Sequence, residues 1–222
     1  IIRRIAGEVA TTPDIRNCAS IGAELARFHL AGGDYTGRRN NPRGVEWILT
    51  ALETLKPRLA EKDFQSVSAT LDSCRDFQLD RLPCGAIHAD LFHDNALFLN
   101  GELGGILDFD YACNDNFVFD IAVLLNDWCI DSEGELVAAR VDATLAAYQE
   151  QRCLEAVELD ALPLMLRLAA LRFWLSRLYD KSFPLDGELT FLKCPDVFRQ
   201  MHLLRSTHTN EVRELLLPHH VR

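Results

Sequence analysis

Residues 85–110, GAIHADLFHDNALFLNGELGGILDFD, restrict the fold of this chain more than any other stretch. Two short apolar runs, Ala86-Ile87 and Ala96 to Leu99, bracket a polar cluster, and Asn100-Gly101 follows the second run. Asn and Gly both tolerate positive φ, so this pair signals a short hairpin loop. Ile106-Leu107 then falls on the returning strand. Residues 86–108 are therefore expected to form one small antiparallel β unit with polar loops at its ends. Asp90 and Asn95 lie on the loop ahead of the hairpin, and Asp108 ends its returning strand. A tight hairpin brings Asp108 back beside Asn95 despite their separation in sequence. A carboxylate and an amide oxygen converging there suit Mg²⁺, a hard cation that takes oxygen ligands and keeps some water or phosphate oxygens. Asp90, a second carboxylate nearby, is placed to accept a proton from an attacking hydroxyl. A base, a ligating amide and a ligating acid are the parts of a phosphoryl-transfer site.

The rest of the chain reads as helical. Residues 1–13 are extended or irregular, and Asp14 is placed to cap a helix whose Cys18, Ile21, Leu25 and Phe28 share one face. Gly32-Gly33 ends it, and residues 34–44 (DYTGRRNNPRG) form a polar loop. A second helix carries Trp47, Ile48, Leu52 and Leu55 up to Pro57, and a third carries Phe64, Val67, Leu71 and Cys74. Beyond the β unit, a helical run opens at Asp120-Ile121 with Val123, Leu124, Leu125 and Trp128. Leu136, Val137, Val141 and Leu145 continue at helical spacing. Residues 160–179 hold the longest apolar helix, and the tail from about 187 is more polar and helical in part. The expected fold class is mainly α with a small antiparallel β ribbon, in a single domain.

Composition narrows the partners. The chain has 222 residues, 48% of them apolar, and no apolar run approaches the length of a membrane span. Lys and Arg number 23 against 33 Asp and Glu, a net charge of -10. That balance argues against a broad basic face for nucleic acid. An acidic protein can still bind a nucleotide if a metal carries the positive charge. The seven cysteines are scattered, odd in number and without a C-x-x-C pair, as expected of reduced, mostly buried thiols in a cytoplasmic protein. The start, IIRRIAGEV, has no secretory leader pattern and no initiating Met, so a fragment or processed product is expected.

His88-Ala89-Asp90-Leu91-Phe92-His93-Asp94-Asn95 resembles the catalytic-loop pattern H-x-D-x-x-x-x-N of the protein-kinase-like superfamily. Asp108-Phe109-Asp110 resembles its D-F-G element with Asp in place of Gly. That departure points to the branch of aminoglycoside phosphotransferases and choline kinases. Asp120-Ile121-Ala122 looks like the acidic start of the next helix in that branch. Within it, IHADLFHDN, ILDFDYAC, FDIAVLLNDWC and AALRFWLSRLYD resemble homoserine kinases of the ThrB type II class, over residues 1 to about 200. The resemblance implies a protein-kinase-like C-terminal lobe, of α+β class, acting with ATP and Mg²⁺ on L-homoserine or a similar small molecule. It implies that Asp90 orients the substrate hydroxyl and takes its proton, and that Asn95 and Asp108 hold Mg²⁺. It implies that His88 and Asp120 brace the catalytic loop. The N-terminal lobe of such a kinase supplies a glycine-rich loop and a strand Lys. No G-x-G-x-x-G, Walker motif or V-A-I-K-like strand occurs here. Residues 1–13 are accordingly expected to be the link from a missing lobe, residues 14–222 the catalytic and substrate-binding lobe, and the isolated chain inactive.

Several residues carry alternatives. Asp110 fits a hairpin-end cap, a second Mg²⁺ ligand or a partner for a substrate ammonium. A substrate carboxylate would need a cation, for which Arg172 and Arg177 on the long helix, or Arg38, Arg39 and Arg43 in the loop, are candidates. A cationic acceptor such as choline or an aminoglycoside would instead want an acidic pocket, with Asp115, Asp127 and Asp131 as candidates; a sugar is a further acceptor. His93 and Asp94 read as solvated loop residues, the three tryptophans as core, and Cys84 and Cys113 as buried, inert thiols. A non-catalytic kinase lobe that binds a protein or a metabolite is the competing class.

Overall fold

The computed structural model describes residues 5–184 and 194–219. Among the described residues eight α-helices and five short strands follow in the order β1 (Glu8–Val9), α1 (Ile15–Ala31), α2 (Val45–Leu55), α3 (Glu61–Phe77), β2 (Cys84–Ile87), β3 (Ala96–Leu99), β4 (Glu102–Ile106), β5 (Cys113–Asn116), α4 (Phe117–Trp128), α5 (Ala138–Gln149), α6 (Ala156–Ser182), α7 (Pro195–Thr207) and α8 (Thr209–Leu216). Residues 1–4 of the expected link, and 187–193 of the tail, lie outside the described residues.

Local chemistry sets the helix ends. Asp14 Oδ1 accepts from Asn17 N at 2.8 Å while Asn17 Oδ1 accepts from Asp14 N at 3.0 Å, a reciprocal box worth about 1 kcal/mol. Cys18, Ile21 and Leu25 are buried along α1, which packs against α5. Gly22 permits that approach, since a Cβ there would lie 2.5 Å from Thr144 O. Pro57 falls in the 3-10 turn that ends α2. From Phe117 to Asn126, α4 is buried on every side, as its continuous apolar sequence requires. It packs on α6, which in turn packs on α7. Among the described residues no helix is long and apolar enough to cross a membrane.

The β structure differs from the expected single unit. Strands β3 and β4 do form the hairpin, with Asn100 at φ 54° and Gly101 at φ 83° in its turn. Their sheet is completed by β1, in the order β1-β3-β4, so the irregular start contains a two-residue strand. Ala86-Ile87 belongs elsewhere: β2 pairs antiparallel with β5 in a separate ribbon, Ile87 opposite Cys113. The expected continuous helix through Leu136 is also corrected. Asp131 Oδ1 accepts from Glu133 N and Glu135 N, Gly134 sits at φ 85°, and Ile130 bridges Leu136, so a tight turn precedes α5. Helix α4 begins at Phe117, which puts Asp120 in its first turn rather than at its opening.

Candidate active site

The two sheets meet at the loop 88–95. β2 delivers His88 to Asp90, and the turn at 93–95 leads into β3. Phe92 N donates to Asp90 O at 2.8 Å, and Asn95 Nδ2 donates to the same oxygen at 2.9 Å. With its nitrogen engaged there, Asn95 has its amide oxygen left to meet a ligand. Leu107 N donates to Asn95 O at 2.8 Å, which sets Asp108 beside Asn95 at the end of the hairpin. Asp90, Asn95 and Asp108 therefore share one end of the β structure.

Two residues in this region have left-handed backbones without being glycine: Ala89 at φ 64° and Asp108 at φ 59°. Each costs about 1–2 kcal/mol. At Ala89 the compensation is visible. The fully buried Asp120 carboxylate accepts from His88 N at 2.7 Å and Ala89 N at 2.8 Å, and His29 Nε2 stands 3.1 Å from it. Burial pushes the Asp120 carboxyl up, but the hydrogen bond from His29, electrostatic attraction to His29 and His88, and the hydrogen bond from His88 N carry it below its ordinary value. His88 Nε2 reaches Leu107 O at 2.9 Å, so its imidazole ties the loop to the strand that ends at Asp108. Phe109 packs between the rings of His88 and Phe28.

Arg39, a candidate for a substrate carboxylate, instead donates from Nη1 to Asp110 O at 2.6 Å and Ala112 O at 3.1 Å. It fastens the segment that follows Asp108. Asp110 N faces Asp108 Oδ1 at 3.4 Å, and the Asp110 side chain is exposed. Arg43 pairs with Asp180 at 3.4 Å and stacks over Trp47. Arg172 is buried on α6, with Nη1 3.5 Å from Asp90 Oδ1 and its guanidinium 3.8 Å from the Phe173 ring centre. Burial lowers it to about 10, against the opposing charge of Asp90. Arg177, one and a half turns further on, lies over the Phe198 ring at 4.1 Å. Burial lowers it too, opposed by the charges of Asp90, Asp127 and Asp94.

The three acids suggested for a cationic acceptor are not gathered. Asp115 precedes α4 and holds Asn41 Nδ2 at 2.7 Å, whereas Asp131 caps a turn after α4. Twelve residues of helix, about 18 Å, lie between. Asp127 does reach the loop, accepting from His93 N at 2.6 Å and standing 2.8 Å from His93 Nδ1, so His93 is anchored rather than merely solvated. Cys113 is buried and pushed up to about 12, foremost by burial; Cys84 is exposed. Among the described residues no three His, Cys, Asp or Glu side chains form a metal cage. No local pattern marks His29, which reaches Asp120 from α1 across 91 positions.

A strained loop held from behind by a buried carboxylate, with Asp90, Asn95 and Asp108 at its front, has the form of a phosphotransferase-type centre. Residues 1–156 match the phosphotransferase enzyme family (APH), and the chain belongs to that family. It is similar to a homoserine kinase of Methylobacillus flagellatus, 44% identical over 201 residues, covering 90% of this chain and 63% of the relative. A homoserine kinase of Neisseria meningitidis serogroup B is 37% identical, covering 91% and 67%. The chain thus spans about two thirds of the length of these relatives. In three dimensions it resembles amicoumacin kinase hAmiN (TM-score 0.64, 19% identity, 96% of this chain and 63% of that one). It also resembles choline kinase from Cryptosporidium parvum (TM-score 0.64, 14% identity, 97% and 70%). At those identities the likeness speaks for the fold alone, a mainly helical lobe with small antiparallel sheets.

Proposed function

We propose that this chain is the catalytic and substrate-binding lobe of an ATP-dependent kinase that phosphorylates the hydroxyl of L-homoserine, giving O-phospho-L-homoserine and ADP. The carrying observation is the 44% identity to a homoserine kinase across nine tenths of the chain, joined to the convergence of Asp90, Asn95 and Asp108. In this reading Asp90 orients the acceptor hydroxyl and takes its proton. The Asn95 oxygen and the Asp108 carboxylate are hard donors and fit Mg²⁺, with phosphate and water oxygens completing its shell. When bound, that ion neutralises charge between the ATP phosphates. His88 and Asp120 keep the loop in its strained shape. Arg172 lies beside Asp90 and holds its carboxylate in place, while Arg177 faces outward enough to take the carboxylate of an amino-acid acceptor. Asp110 is a partner for the substrate ammonium. Phosphoryl transfer asks little covalent work of a protein, so placement and charge neutralisation carry the rate.

The test compares this chain with a polypeptide extended to the relatives' full length, using Mg-ATP and a panel of homoserine, choline, an aminoglycoside and a sugar. Homoserine is expected to be the preferred acceptor, with activity confined to the longer polypeptide. In it, Asp90→Asn is expected to lower kcat by about 10²–10⁴-fold with Mg-ATP binding retained, and Asp108→Asn to weaken metal-dependent nucleotide binding. Preference for another acceptor overturns the substrate. Absence of turnover with every acceptor at full length favours a non-catalytic binding lobe.

A further inference from the structure

A single file of side chains, all buried but the half-buried Arg152, runs from the first turn of α6 to the back of the loop 88–95. Glu158 accepts from Glu155 N at 3.0 Å and from Arg152 Nη2 at 3.1 Å. Arg152 Nη1 donates to the Tyr148 oxygen at 3.3 Å, and that hydroxyl lies 2.7 Å from His29 Nδ1. His29 Nε2 lies 3.1 Å from Asp120 Oδ2, which also accepts from His88 N. Glu158, Tyr148, His29 and Asp120 are at most 1% exposed. The Phe117 ring covers both the His29 ring and the Arg152 guanidinium. Gly85 makes room for that ring, since a Cβ there would lie 2.5 Å from it.

The direction of every hydrogen in this file follows from its two ends. An ionised carboxylate only accepts, so His29 Nε2 carries a proton. A guanidinium only donates, so the Tyr148 oxygen accepts from Arg152 and its own hydrogen is left to donate; His29 Nδ1 stands in reach. Burial raises the Tyr148 phenol above its ordinary range, with Glu158 and Asp120 adding and Arg152 opposing, so the hydroxyl keeps its proton. An imidazolium at His29 would turn a second N–H toward an oxygen already taking Arg152 and would leave the phenol hydrogen without this acceptor. We infer that Tyr148 holds His29 as the neutral Nε2–H tautomer, and is thereby a positioning residue for the backbone at His88 and Ala89. The file also ties the N-terminal turn of α6, the helix bearing Arg172 and Arg177, to the loop that α6 faces.

The tautomer itself does not depend on the proposed function; its consequence for turnover does. The 222-residue chain, labelled with ¹⁵N-histidine, is examined by long-range ¹H–¹⁵N correlation at neutral pH, with His29 assigned by its loss in His29→Gln. The expected spectrum has one protonated nitrogen at Nε2 and one bare nitrogen at Nδ1. Two protonated nitrogens, or a proton on Nδ1 alone, overturn the inference without any variant needing to fold. Tyr148→Phe removes one oxygen from a buried ring. It is expected to shift the Nδ1 resonance and to speed hydrogen exchange at the Ala89 amide about tenfold. An unchanged Nδ1 resonance together with unchanged Ala89 exchange also refutes it. His29→Gln keeps an N–H donor in reach of Asp120 and should restore the Ala89 protection that His29→Leu loses.

Discussion

Replacing Asp120 by Asn tests the central support of the site with the least change in shape. The carboxylate accepts three hydrogen bonds, from His88 N at 2.7 Å, Ala89 N at 2.8 Å and His29 Nε2 at 3.1 Å, at a position with no solvent exposure. An amide presents one oxygen and one NH₂, so at least one of these donors meets another donor. Bonds to a charged acceptor contribute about 1.5–3 kcal/mol each and neutral ones about 1, while a stranded buried donor costs a further 1–3. Asp120→Asn should therefore destabilise the chain by about 3–5 kcal/mol, the range found when one member of a buried pair is removed. At a slope of about 2–3 kcal/mol per molar urea, the unfolding midpoint falls by about 1–2 M with the slope unchanged. The pH dependence adds an independent signature. The folded-state value of Asp120 lies below its ordinary 3.8, so its stabilisation is complete above about pH 4 and is lost as pH falls through the folded value. The gap between wild type and variant should then be widest near pH 7 and should close on acidification below about pH 4. A cost under ~1 kcal/mol at pH 7, or a gap that persists undiminished in acid, would refute the account of Asp120 as the anion that holds the loop.

Two further substitutions separate backbone strain from packing. Gly101→Ala places a Cβ in open space at φ +83°, so its cost of about 1 kcal/mol is conformational alone and should appear as a small drop in urea midpoint. Gly22→Ala drives a Cβ to within 2.5 Å of the Thr144 carbonyl, backbone against backbone, and should cost about 1–3 kcal/mol. Because Tyr148 lies one turn beyond Thr144, Gly22→Ala should also disturb the Nδ1 resonance of His29, whereas Gly101→Ala should leave it in place.

The parts of the fold that were legible in the sequence are those whose cause is local. Asp14 caps α1 with a partner three residues away, and Asn100-Gly101 turns the hairpin with its own positive φ angles. Helices α2, α3 and α6 announce themselves by apolar spacing. The parts that were not legible depend on distant partners. β5 reads CNDN, with no alternation to mark a strand, and exists because β2 lies opposite it across the whole hairpin. β1 is two residues long and is defined only by its pairing with β3. Leu136 and Val137 sit at helical spacing from Val141, yet Asp131 and Gly134 close a turn ahead of them. That signal was present in Asp131-Ser132-Glu133-Gly134, a run of turn formers, but the apolar period outweighed it. The front of the site, Asp90, Asn95 and Asp108, was accessible because a hairpin links its members. The back was legible only in part: the family resemblance pointed to His88 and Asp120, which do meet at the loop, whereas His29 and Tyr148 reach Asp120 from two other helices with no local signal.

That division has a physical logic. The left-handed backbones at Ala89 and Asp108 would relax if unsupported. The support is therefore applied to backbone atoms from the buried side. Asp120 takes the amides of His88 and Ala89, His88 grips Leu107 O, and Arg39 grips the carbonyls of Asp110 and Ala112. None of these bonds uses a side-chain oxygen of Asp90, Asn95 or Asp108. An acidic chain can in this way hold two carboxylates and an amide at one point, because the charge that steadies the loop is placed behind it in the dry core; in the proposed function the front is where a cation and phosphate would bind. It follows that substitutions at the back should act on the shape of the loop before they act on its charge, with losses in kcat that are not mirrored in the affinity for metal.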